Sequence, residues 1–239
     1  MKKVLLLFFI SFLTIHGFAQ NIFSLGVSVE KLFGLNEKGH FAENDVPIKF
    51  GNSNGFAFSV NPAYSLNNNW LFESGINLVN RKHNITLLSS RGDLTDTRPY
   101  YNLEIPFNIA YRIPLISHKG LYLFVYAGLS YRLNQVDEDF LVLEASDYDN
   151  RTQTFRMIYK TVRFNHALFY STKLGLQFPV SNQLVLASGI KYTNSITECN
   201  SINFHYSNEG QNGLTAYYSS KTNYISIYLK ALLLLTNKK

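Results

Sequence analysis

Eight stretches of this chain alternate apolar and polar residues with a period of two. Every charge within them falls on the same side of the alternation. The apolar sides are Phe23, Leu25, Val27 and Val29; Phe56, Phe58, Val60, Pro62, Tyr64 and Leu66; Trp70, Phe72, Ser74, Ile76 and Leu78; and Tyr101 through Ile113 at every second residue. The last four run in the same way over Leu121–Tyr131, Leu168–Phe178, Leu184–Tyr192 and Ile225–Leu235. The opposite sides hold Gly, Ser and Asn, some large residues such as Tyr122, Phe124, Tyr126 and Phe169, and eight charges: Glu30, Glu73, Glu104, Arg112, Arg132, Lys173, Lys191 and Lys230. A charge turned toward lipid at the bilayer midplane costs about 2–4 kcal/mol. The segregation therefore fits strands whose apolar face meets lipid and whose polar face lines a lumen.

The expectation is an all-β, closed, antiparallel transmembrane barrel of eight strands, or ten if an outer hairpin inserts. Three carboxylates and five cations form a charge network in its lumen. Glu73 with Arg112, and Glu104 with Arg132, are the expected pairs. A soluble lipocalin-like barrel is the structural rival; it would turn the same apolar faces inward.

Composition bears on this choice. The chain has 19 Phe and 16 Tyr but only 16% charged residues, and its mean hydropathy is −0.06. A bundle of membrane helices would be far more apolar. The longest late apolar run, Ala231–Leu235, is too short for a spanning helix.

Lys2 and Lys3, the apolar run Val4–Leu13, and Gly17 and Ala19 have the layout of a cleaved secretory signal peptide. It is taken as residues 1–19, and the barrel domain as 20–239. The basic residues form no run, so nucleic-acid binding is not expected. Cys199 is the single cysteine, which excludes a disulfide framework within the chain.

Connection lengths alternate. Asn67–Asn69, Pro114–Gly120 and Pro179–Gln183 are short. The intervening connections are long, as in barrels with short periplasmic turns and long outer loops. Phe140–Ala145 with Thr154–Phe164, and Ile202–Ser207 with Leu214–Ser219, are strand-like and flank turn-forming clusters. Both hairpins should project beyond the membrane. Aromatic residues gather near both ends of the outward face, as expected of residues at the two interfaces.

Three stretches carry a family resemblance: Trp70-Leu-Phe-Glu-Ser-Gly-Ile76, Tyr101-Asn-Leu-Glu-Ile-Pro-Phe107 and Leu121-Tyr-Leu-Phe-Val-Tyr-Ala-Gly128. With the overall plan over residues 22–236, they resemble the PorT-like outer-membrane β-barrels of Bacteroidota. The resemblance implies a barrel integral to the outer membrane. Some members of that family are tied to protein secretion, and the motifs themselves carry no reaction.

Candidate chemistry is sparse. His205 and Ser207 share one side of a strand near Glu209, as in barrels that deacylate lipid A. Asp137, Glu138, Asp139, Glu144, Asp147 and Asp149 make one outer hairpin acidic and offer oxygen ligands of the kind Ca²⁺ takes. Arg91-Gly-Asp93 is an adhesion tripeptide elsewhere, and ordinary turn chemistry here. Asn84-Ile-Thr86 matches a glycosylation sequon that needs a eukaryotic secretory pathway. No catalytic, metal or cofactor site is assigned.

The leading expectation is a non-enzymatic structural or surface-binding barrel. Outer-membrane lipid is its environment, and a protein or ligand partner would meet the outer hairpins. The alternatives are an accessory component of outer-membrane secretion, and a lipid A-modifying enzyme using His205 and Ser207.

Overall fold

The computed structural model describes residues 22–35, 38–41, 48–52, 54–66, 69–87, 94–116, 120–133, 136–138, 142–146, 154–164, 166–208 and 211–235. The expected signal peptide, Arg91-Gly-Asp93, Asp139, Asp147, Asp149 and Glu209 lie outside the described residues.

The strands, in chain order, are β1 (Ile22–Gly34), β2 (Lys38–Phe41), β3 (Ile48–Asn52), β4 (Gly55–Leu66), β5 (Trp70–Ser74), β6 (Ile76–Leu87), β7 (Leu94–Ile116) and β8 (Leu121–Arg132). They continue as β9 (Val136–Glu138), β10 (Val142–Ser146), β11 (Thr154–Phe164), β12 (Leu168–Pro179), β13 (Leu184–Ser195), β14 (Asn200–Asn208), β15 (Gln211–Lys221) and β16 (Asn223–Leu235).

Eight antiparallel staves close into a ring: β1, β4, β5 with β6, β7, β8, β12, β13 and β16, which pairs back to β1. The register sets the tilt. Cross-strand partners lead from Ser24 to Ala63, Glu73, Asn108, Gly128, Ser171, Thr193, Tyr224 and back to β1 at Gly34. The path returns ten residues from its start, a shear of ten for eight staves. At standard strand spacings that tilts the strands by about 40°. A 12-residue strand such as β4 or β12 then rises about 30 Å, enough to cross the hydrocarbon core.

One stave is broken. β5 and β6 meet at Gly75, whose φ is 153°. A Cβ there would lie 2.8 Å from Asn61 Cα. The register does not slip, since Val60 faces Ile76 and Ala63 faces Glu73. The cause lies in the neighbours: continuing that register puts Pro62 of β4 opposite Ser74, and Pro106 of β7 opposite Gly75. Neither proline has an N–H to give the ladder. Ser74 Oγ instead donates to the Pro106 carbonyl at 2.9 Å.

Burial alternates residue by residue through most of β4, β12 and β16. Leu174, Ile190, Ile227 and Leu229 point outward and are each more than half exposed. Soluble proteins rarely leave an apolar surface of this extent open to water. The rims carry the aromatics. Trp70 and Tyr111 are cross-strand partners in edge contact, with ring centroids 4.9 Å apart, near the short-turn end. Tyr170 and Tyr192 pair at 6.2 Å near the other end.

The strands outrun the alternation seen in the sequence. β1 continues past Val29 and places Lys31 on the outward side, its ammonium 3.9 Å from the centre of the Phe56 ring. Lys31 lies beyond the first alternating stretch, within which the one charge, Glu30, faces inward. At the rim a lysine reaches the polar interface, where its cost falls toward zero.

At the long-connection end the wall continues outward. β9, β11, β14, β15 and β2 pair in an order that repeats β8, β12, β13, β16 and β1 below them, with β10 also on β11. On the other side β6 and β7 extend to the Leu87–Leu94 partners and β3 joins β6. Both expected outer hairpins are therefore present as extensions of the wall, and none is inserted in the ring. The barrel has eight staves.

Candidate functional site

The lumen is the most structured polar region of the molecule. Its residues come from alternate positions of all eight staves, so the period of two that exposes leucine to lipid also brings carboxylates and cations together inside. Glu30, Glu73, Glu104, Arg132, Lys173, Lys191 and Lys230 are buried there, and Arg112 is half-buried toward the short-turn end.

Glu73 is the hub of the central layer. It accepts from Lys230, lies 3.8 Å from Lys173 Nζ, and accepts from Asn108 Nδ2 at 3.3 Å. Lys173 also sits against the rings of Tyr126 and Tyr228, 5.3 and 5.7 Å from their centres. Beside this layer Lys191 Nζ donates to both oxygens of Glu30, at 3.0 and 3.3 Å, and Ser226 Oγ donates to the same carboxylate at 3.2 Å. Ser28 and Ser59 share a hydrogen bond across β1 and β4, and Asn61 Nδ2 donates to Ser59.

Nearer the outer mouth, Arg81 Nη2 donates to Glu104 Oε1 at 3.2 Å. The Arg81 guanidinium stacks 4.3 Å from the Tyr224 ring centre. Arg132 Nη1 donates to the Cys199 carbonyl at 3.1 Å. Cys199 itself is buried against Ala167 and Phe169, with its sulfur 2.9 Å from Thr222 Oγ1.

Both expected ion pairs are replaced. Glu73 does not meet Arg112, because the register sets Glu73 opposite Asn108 and leaves Arg112 two inward positions lower on β7. That is about 13 Å along the strand. Its cations come instead from β12 and β16, across a lumen narrow enough for opposite walls to touch. Glu104 and Arg132 are register partners, yet Glu104 takes Arg81. The third stretch, read from its apolar residues, ends at Leu78, which leaves Arg81 outside the sequence-derived network. Following Glu73, Asn77 and Val79 two residues further along the same side reaches Arg81.

Large and small residues interlock below the charges. Phe124, Tyr126 and Tyr228 cluster with Leu71 and three alanines. They fit because Gly175 and Gly189 face each other across β12 and β13. A Cβ on Gly175 would lie 2.5 Å from Tyr228 Oη and 2.7 Å from Phe124 Cζ. Gly175→Leu is expected to destabilise the fold by about 1–3 kcal/mol through overpacking. A lowered temperature for loss of the compact gel band would show it; an unchanged one would mean the lumen has room to spare.

The other candidates lie outside the ring. His205 and Ser207 are on β14 in the outer extension, where His205 faces Thr215 of β15 and Ile158 of β11. Asp137 and Glu138 are on β9 and Glu144 is on β10, both strands pairing with β11.

No protein-family model and no curated protein matches the sequence. Solved structures do. OprG of Pseudomonas aeruginosa superposes with a TM-score of 0.53 at 9% identity, over 89% of this chain and 96% of that one. A major outer membrane protein of Thermus thermophilus aligns over 89% of this chain and 99% of its own, at 10% identity and a TM-score of 0.43. The fold is that of the outer-membrane β-barrels. With its apolar belt and polar lumen, the chain is an integral outer-membrane β-barrel with lipid around it.

Proposed function

We propose that this is a non-enzymatic barrel that presents its outer wall extension to a partner, with a lumen that supports the wall and does not conduct. One observation carries the reading: the lumen is crossed at Glu73 by its bonds to Lys173 and Lys230 and further filled by the buried pairs Glu30–Lys191 and Glu104–Arg81, while five staves continue as a paired sheet beyond the membrane. An eight-stranded barrel is just wide enough for side chains to fill.

The test has two arms. Protein inserted in planar bilayers should give no steady single-channel current; stable open events would overturn the filled-lumen reading. Removal of residues 137–156 should leave the folded band and abolish attachment to whatever surface or protein the intact chain binds. Undiminished binding would reject the extension as the binding element.

A second reading, as an accessory of outer-membrane secretion, rests on the PorT-like stretches, which form three consecutive staves, β5 with β6, β7 and β8. Normal export of secreted cargo in a deletion strain would sink it.

A further inference from the structure

Among the described residues, the layer of the lumen nearest the outer mouth buries two guanidinium groups, of Arg81 and Arg132, against one carboxylate, of Glu104. Arg81 and Arg132 both stand over the same ring, that of Phe169, with guanidinium carbons 5.6 and 5.1 Å from its centre. Glu104, on the strand between them, is the carboxylate of this layer among the described residues, and it bonds Arg81 through Oε1 alone. Arg132 is fully buried and Arg81 nearly so.

Hydrogen bonding shows the same imbalance. Nε and Nη1 of Arg81, and Nε and Nη2 of Arg132, have no acceptor. Asn102, buried beside them on β7, has an unpartnered Nδ2 as well. Acceptor oxygens in this layer are Glu104 Oε2, Asn102 Oδ1 and the hydroxyls of Thr193 and of Tyr100, the register partner of Arg81. Of these acceptors only Glu104 carries charge, so one carboxylate stands against two guanidinium groups.

Water would satisfy the hydrogen bonds but leave the charge. An uncompensated buried charge is costly. The Phe169 face attracts both cations but supplies no counter-charge. A bound anion removes both deficits at once. Because both guanidinium groups lie within the reach of a single ring, it must be small.

We propose that a small monovalent inorganic anion, of halide size, binds in the outer half of the lumen between Arg81 and Arg132. The site does not depend on what the outer extension binds.

Bromide is the probe. Full-length protein is crystallised with bromide replacing chloride, and data are collected at the bromine edge. The expected result is an anomalous peak in contact with both guanidinium groups. Density there without anomalous signal is water alone and overturns the proposal. In parallel, the folded-to-unfolded equilibrium in detergent is followed in sodium bromide and in sodium gluconate at equal ionic strength. Wild type should gain about tenfold in stability constant once free bromide is about ten times its dissociation constant. Arg132→Gln should gain nothing. A crystal peak with no gain for wild type means binding at crystal concentration only, and also overturns the proposal. If Arg132→Gln does not fold, Arg81→Gln serves in its place, and both wild-type measurements stand without either variant.

Discussion

Glu73→Ala is expected to destabilise the barrel by about 3–5 kcal/mol, the penalty for stranding buried charge. The substitution removes the carboxylate that both Lys230 and Lys173 address. Neither lysine can reach solvent from mid-lumen, and the remaining carboxylates are engaged elsewhere, Glu30 by Lys191 and Glu104 by Arg81. Denaturant unfolding in lipid vesicles measures the effect. Trp70, the single tryptophan of the chain, lies exposed at the short-turn rim and reports insertion by its fluorescence. A loss below about 1 kcal/mol, the level of an exposed pair, would mean that the lysines are solvated and the lumen is wet at this level. The companion experiment replaces the charges together. Glu73→Leu with Lys230→Met and Lys173→Met should recover much of the loss, because removing every partner of a buried charge cluster is far less costly than removing one.

The second large effect concerns the other face. Leu174 is at the middle of β12, points outward and is more than half exposed. Leu174→Arg is expected to cost about 2–4 kcal/mol in a bilayer. On a water-facing strand the same change would stay within about 0.5 kcal/mol, as exposed substitutions generally do. The comparison with Lys31 supplies the depth dependence. That lysine already sits outward at the rim beside Phe56, so Lys31→Leu should change little. Equal, small effects at both positions would place the apolar belt in water and force the lipocalin-like alternative back into consideration.

Much of the barrel was legible in the sequence because its main constraint is local. Side chains alternate across a strand, and a charge on the wrong side is costly wherever the strand sits. The inward and outward assignments of Glu30, Lys173 or Leu174 therefore needed no knowledge of neighbours. The eight staves and their short and long connections followed from the same alternation and its interruptions. Both outer hairpins were visible as strand-like runs around turn-forming clusters.

Partnership was not legible, because it depends on how tilted strands are staggered around the ring. Glu73 and Arg112 look matched on adjacent strands, yet the register separates them and brings Lys230 and Lys173 to Glu73 from across the lumen. Arg81 lies beyond the end that the apolar pattern gives its strand, although its parity with Glu73 is open to view. The break at Gly75 needed Pro62 and Pro106 from two other strands to converge on it. The union of β9, β11, β14, β15 and β2 into one sheet likewise arose from the order of the staves beneath them. Period-two alternation alone determined which face each residue takes, since pleating is a property of one strand. Which residues meet inside was decided only by closure of the ring, since a shear of ten sets heights that no single strand encodes.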